Sequence, residues 1–70
     1  LESAQMESLI KNAIASLPEE EQLVVIMKEY QGMSYSDIAE VLDCPIGTLK
    51  SHNYRAHQRL KGILSKHIGD

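Results

Sequence analysis

Ser34-Tyr35-Ser36-Asp37-Ile38-Ala39-Glu40-Val41-Leu42-Asp43-Cys44-Pro45-Ile46-Gly47-Thr48-Leu49-Lys50-Ser51 is the stretch on which the fold turns. Ser34 followed three residues later by Asp37 resembles a capping box, which starts a short helix at Tyr35 with Ile38, Ala39 and Leu42 turned inward. Asp43-Cys44-Pro45 stops that helix, because the residue before a proline is driven out of the helical region and proline then suits the opening of the next helix. From Ile46 a longer helix carries Leu49, Ala56, Leu60, Ile63 and Leu64 on one stripe into the mid-sixties, about 30 Å at ~1.5 Å per residue. A short helix, a tight break and a longer helix with a polar, basic outer face make the helix-turn-helix arrangement, whose second helix enters the major groove of duplex DNA.

Upstream, Met6, Leu9, Ile10, Ala13, Ile14 and Leu17 recur at helical spacing and predict a first helix. Pro18 ends it and opens a second, with Glu19, Glu20 and Glu21 near the positive end of the helix dipole as a solvated first turn. In that second helix Leu23, Ile26, Met27 and Tyr30 mark one face, Val24 and Val25 widen the apolar surface, and Gly32 supplies the stop. The expected architecture is all-α: one domain over 1–70 with helices near 3–16, 18–31, 35–42 and 46–66. It is a four-helix domain with a winged-helix-like three-helical core and no wing. The chain opens in mid-pattern at Leu1, so it is expected to be a piece of a longer protein.

Seventy residues with 43% hydrophobic content support one small core and leave no room for a large catalytic cleft. The net charge of −3 argues against a nucleic-acid partner when taken alone. Its distribution reverses that. Lys11 and Lys28 face nine acidic residues up to Asp43, whereas Lys50, Arg55, Arg59, Lys61 and Lys66 face only Asp70 beyond it. Cys44 stands alone, so no internal disulfide forms; it reads as a small residue at an interhelical turn, in keeping with a reducing cytoplasm. The histidines lack chelating spacing, so no metal and no cofactor is expected. No apolar run approaches the ~20 residues of a membrane span. No nucleophile and base, paired acids or phosphate-cradling glycine loop points to an enzyme.

At 100° per residue the long helix sets Leu49, Asn53, Ala56 and Leu60 toward the core and Gly47, Thr48, Ser51, Arg55 and Gln58 outward, with Lys50, His52 and Arg59 flanking. Arginine pairs with guanine or phosphate, serine and threonine reach either, and the early residues of such a helix lie closest to base edges. The plain alternative is the solvated face of an amphipathic bundle helix. Asn53, on the inner stripe, requires a hydrogen-bond partner or a place at the core margin. Tyr35 reads equally as packing at a helix start and as a hydroxyl aimed at phosphate.

The run from Gly32 to Ser51, with Leu17-Pro18-Glu19-Glu20-Glu21 before it and Arg55-Ala56 after it, closely resembles the carboxy-terminal promoter-reading region of bacterial sigma factors, especially the extracytoplasmic-function group. The likeness extends from about Ile10 to Leu64. It implies a non-catalytic four-helix domain, region 4, that recognises the minus-35 element of promoters while held on RNA polymerase by the flap of the beta subunit. A further implied partner is an anti-sigma factor, and the implied setting is the bacterial cytoplasm. Carried onto this chain, the groove-reading positions are Lys50, Ser51, His52 and Arg55. Phosphate contacts are implied for Tyr35, Ser36, Pro45, Gly47, Thr48 and Arg59, where backbone N–H groups at a helix start also suit an anion.

Three positions depart from that family: His52 and His57 stand where arginine is usual, and Asn53 stands where an apolar residue is usual. Imidazole in place of a bidentate donor implies weaker DNA binding or a different target site. Thr48-Leu49-Lys50-Ser51-His52 also echoes the DNA-binding effector domain of LuxR-type regulators, which would bind DNA as a dimer rather than on polymerase. A third reading is a sigma-like interaction module that binds polymerase or an anti-sigma regulator, docking through Val24 and Val25.

Overall fold

The computed structural model describes residues 3–68, with side chains through residue 66. Helix α1 covers Ser3–Ala15. Its last turn tightens, as Ser16 N–H donates to the Ala13 carbonyl and Leu17 N–H to the Ile14 carbonyl, while Ser16 Oγ caps the Ala13 carbonyl at 2.7 Å. Helix α2 covers Glu19–Val25 and runs on into a π-helical segment, Ile26–Tyr30. Pro18 caps α2 in an extended conformation, its carbonyl accepting from Gln22 N–H. Helix α3 covers Tyr35–Leu42 and α4 covers Ile46–Ile68. Among the described residues all regular structure is helical, as the sequence implies.

Each boundary has a local cause. Ser34 Oγ accepts from Asp37 N–H at 3.1 Å, one arm of the expected capping box. The π-helical segment widens the turn by one residue: Gln31 N–H donates five residues back to Ile26. It closes on Gly32 at φ +66°, and Met33 N–H then reaches back to the Met27 carbonyl. Helix α3 ends by a related device. Asp43 takes the left-handed conformation (φ 52°, ψ 55°), so that its own N–H and that of Cys44 both bond to the Ala39 carbonyl. The break therefore falls where proline spacing places it, but a left-handed Schellman closure makes it. Pro45 then caps α4, its carbonyl accepting from Leu49 N–H.

Two apolar clusters hold the helices together, and α2 lies between them. Ile14, Leu17, Val25 and Ala56 form one, with Ile10, Ile26 and Leu60 against it. Val24, Ile38 and Leu49 form the other, bordered by Met27, Met33, Tyr35, Ala39 and Leu42. Val24 is 0% and Val25 2% exposed, so the two valines face opposite clusters and supply no docking surface. Of the four residues expected to mark one face, Ile26 and Met27 pack against the clusters, whereas Leu23 and Tyr30 are exposed. A helix packed on two sides buries adjacent residues, which a single-stripe projection cannot represent. Helix α4 contributes to both clusters through Leu49 and Ala56, two turns apart. Its 23 residues, about 35 Å by helical rise, set the 37 Å long dimension of the molecule.

The acidic first turn of α2 also differs from expectation. Glu19 and Glu20 are exposed, but Glu21 is 4% exposed, with Arg59 Nε 3.0 Å from its Oε1. Oε1 accepts no hydrogen bond, so the contact is an ion pair off the N–H direction. Among the described residues no three metal-ligating side chains gather, and the side chain of His67 lies outside them. No described helix is long and apolar enough to cross a membrane.

Candidate nucleic-acid interface

With α3 stopped at Asp43 and α4 restarted at Ile46, the amino-terminal half of α4 stands on Leu49, which is buried against Ile38 and Val24. That packing fixes the rotation of α4. Lys50, Ser51 and Arg55 are exposed on its outer side, as are Pro45, Gly47 and Thr48 at its start and Ser36 at the start of α3. A Cβ built on Gly47 would meet nothing within 4 Å beyond its own helical turn, so the fold itself does not require glycine there. His52 differs from its neighbours. It is half-buried and lines a cleft with Glu20, Leu23, Leu42 and Cys44, turned toward α2 and away from Ser51 and Arg55.

Tyr35 is where several groups converge. Its ring packs at the edge of the Val24–Ile38–Leu49 cluster, while its hydroxyl accepts a hydrogen bond from Asn53 Nδ2 at 3.0 Å. The two readings of Tyr35, packing and polar contact, thus belong to opposite ends of one side chain. Asn53 finds the partner its inner position requires, although its Oδ1 is buried without one. Lys50 Nζ lies 5.8 Å from the Tyr35 ring centre, and Lys28 Nζ lies 5.1 Å from it. Lys28 is a residue the sequence reading left out. It sits in the π-helical segment, and nothing in the neighbouring sequence shows that α3 returns to place Tyr35 beside it.

Tyr54 was missed as well, and here a signal existed. It is 67% exposed, one turn after Lys50 and next to Arg55, and the same projection that selects Arg55 places it at the edge of the outer face. Arg59 stands apart from the group. Its engagement with Glu21 turns it to the α1–α2 corner, where it lines a cleft with Ser16, Leu17 and Ile63. On the flank of α4 below Tyr54, His57 Nε2 is 3.3 Å from Glu29 Oε2, both side chains being half exposed. An exposed pair of that kind contributes little to stability, on the order of 0–1 kcal/mol.

Chemically, the outer side of α4 and the start of α3 offer cations and hydroxyl donors. Lys28 and Lys50 stand beside Tyr35, and Thr48, Ser51 and Arg55 are exposed along the start of a helix held rigid from beneath, groups suited to the phosphates and base edges of a groove.

Comparison with known proteins agrees with that geometry. The sequence model of the family described as Sigma-70, region 4, matches residues 7–60. The ECF RNA polymerase sigma-E factor of Haemophilus influenzae is 37% identical over 59 residues, which are 84% of this chain and 31% of that protein. The protein of the same name from Escherichia coli K12 is 34% identical over 58 residues, 83% of this chain and 30% of that relative. The chain thus spans about a third of the length of these relatives. The match takes in both core clusters, α3 and α4 as far as Leu60, and on it this chain belongs to the sigma-70 region 4 family.

Proposed function

We propose that this domain reads the minus-35 element of promoter DNA as part of an RNA polymerase sigma factor, with α4 in the major groove. The observation that carries the reading is the outer side of α4: Lys50, Ser51 and Arg55 project from a helix whose opposite side is locked by Leu49 and Ala56. Membership of the family supports it, and so do the names of the relatives, which are polymerase sigma factors.

In this reading Arg55 and Ser51 meet base edges, Lys50 lies between a base edge and the phosphate beside Tyr35, and Tyr54 lies against sugar or a thymine methyl at the margin. His52, turned toward α2, meets the DNA at most from the side. Tyr35, Ser36, Pro45, Gly47 and Thr48 contact phosphate through hydroxyls and backbone, and Lys28 joins them. Arg59 is reassigned from phosphate to the pairing of Glu21. Binding to the polymerase flap, or to an anti-sigma factor, uses surfaces away from this face, such as the cleft that Ile14 and Ala15 of α1 line with Ile26 and Tyr30. The domain binds and performs no chemical step, and it works in the cytoplasm where polymerase and promoters are.

Selection from a randomised duplex library tests the reading directly. Enrichment of one short motif is expected; recovery of unselected sequences at every salt concentration would overturn it. On the enriched duplex, Arg55→Ala is expected to cost ~1–3 kcal/mol and to relax preference at one base pair. Equal affinity in variant and parent would remove Arg55 from the readers.

A further inference from the structure

Asn53 is half-buried on the inner side of α4, where its neighbours on that side, Leu49, Ala56 and Leu60, are apolar. Its carboxamide instead spans the interface to donate to Tyr35 Oη at 3.0 Å, while Oδ1 stays buried with no partner. A buried amide satisfied at one end only is a cost to the fold.

The phenol hydroxyl has one proton and two lone pairs. With Asn53 Nδ2 on a lone pair, Oη is an acceptor toward the protein, and its proton is left for an acceptor outside. Half a turn of the carboxamide would put Oδ1 at the same contact and draw the proton inward. The surroundings decide between these states. The ammonium groups of Lys28 and Lys50, 5.1 and 5.8 Å from the ring centre, make the exterior of Tyr35 positive, so an acceptor arriving there is an anion.

We propose that Asn53 is a positioning residue for DNA binding: by donating to Tyr35 Oη it holds the hydroxyl proton outward as a donor to a backbone phosphate beside Lys28 and Lys50. This rests on the DNA-binding reading above, and it adds a residue to which no contact with DNA is assigned. The hydrogen bond from Tyr35 to phosphate is charge-assisted, and Asn53 governs whether it forms.

A double-mutant cycle with a fluorescently labelled mixed-sequence duplex at low salt tests the coupling, since a phosphate contact does not depend on base sequence. Tyr35→Phe is expected to weaken binding about tenfold, and Asn53→Leu about threefold. Asn53→Leu made in the Tyr35→Phe protein is expected to change nothing further. An equal loss in both backgrounds, or no loss in either, would overturn the proposal, because Asn53 would then act through helix packing or not at all. Failure of the parent chain to bind duplex would instead remove the DNA-binding reading, and this inference with it. A measurement on the free protein stands apart from DNA. The Asn53 Nδ2 proton resonances are expected to move in Tyr35→Phe, and unchanged resonances would show that the hydrogen bond does not exist in solution. Thermal melting of each variant separates loss of fold from loss of coupling.

Discussion

Removing the Arg59 guanidinium would strand a carboxylate that the fold has already taken out of water. Glu21 is almost fully buried, and Arg59, with 56% of its side chain exposed, approaches it from the solvent side. Breaking a fully buried pair costs about 3–5 kcal/mol, but water around Arg59 screens this one, so Arg59→Ala is expected to cost ~1–2 kcal/mol. Denaturant titration measures that loss. Adding Glu21→Gln is expected to restore part of it, since a neutral amide is easier to bury than an unpaired charge. The same variant separates the two roles open to Arg59. A phosphate contact would make the salt dependence of DNA binding shallower by about one unit, whereas the Glu21 pairing leaves the slope as in the parent. A reduced slope with unchanged stability would return Arg59 to the DNA face.

At the scale of elements, the start of α4 and the end of α3 set stability against function in opposite ways. Gly47 lies in the first turn of α4 with open space where its Cβ would be. Alanine there is expected to stabilise the fold by up to about 0.5–1 kcal/mol through helix propensity. If a phosphate approaches the Gly47 backbone, the same methyl group weakens duplex binding. A higher melting temperature with undiminished affinity would mean that DNA does not come close to Gly47. Asp43 holds a left-handed conformation and puts a negative charge at the carboxy-terminal end of α3. Asp43→Gly relieves both, and a gain of ~0.5–1 kcal/mol in thermal unfolding is expected; a loss would show that the Asp43 side chain supports the turn. These elements also show what sequence reveals. The Ser34 cap and the break at Asp43 to Pro45 were legible because their causes lie within a few residues. The burial of Glu21, the opposite facings of Val24 and Val25 and the placement of Lys28 were not, because each depends on packing on both sides of α2 and on a π-helical turn with no local signature. Asn53 lies between these cases: its inner position announced the need for a partner, but Tyr35, 18 positions earlier, is brought to it only by the docking of α3 on α4.

Across the whole molecule, a net charge of −3 coexists with a face that carries Lys28, Lys50 and Arg55. Long-range attraction to DNA is consequently weak, and binding relies on the few cations that touch phosphate. The logarithmic dependence of affinity on salt should therefore be shallow, with a slope of about −2 to −4, as expected for roughly three to four neutralised phosphates. Position within the fold, rather than charge alone, decides which lysines contribute. Lys28→Ala and Lys50→Ala should each reduce the slope by about 0.9, because both ammonium groups stand beside Tyr35. Lys66→Ala removes the same formal charge from the cleft it lines with Leu17 and Arg59, and should leave the slope unchanged. Equal effects from all three substitutions would mean that DNA responds to the total charge of the domain and not to one face of it. The helix-turn-helix would then give the protein its shape without giving it an orientation on the duplex.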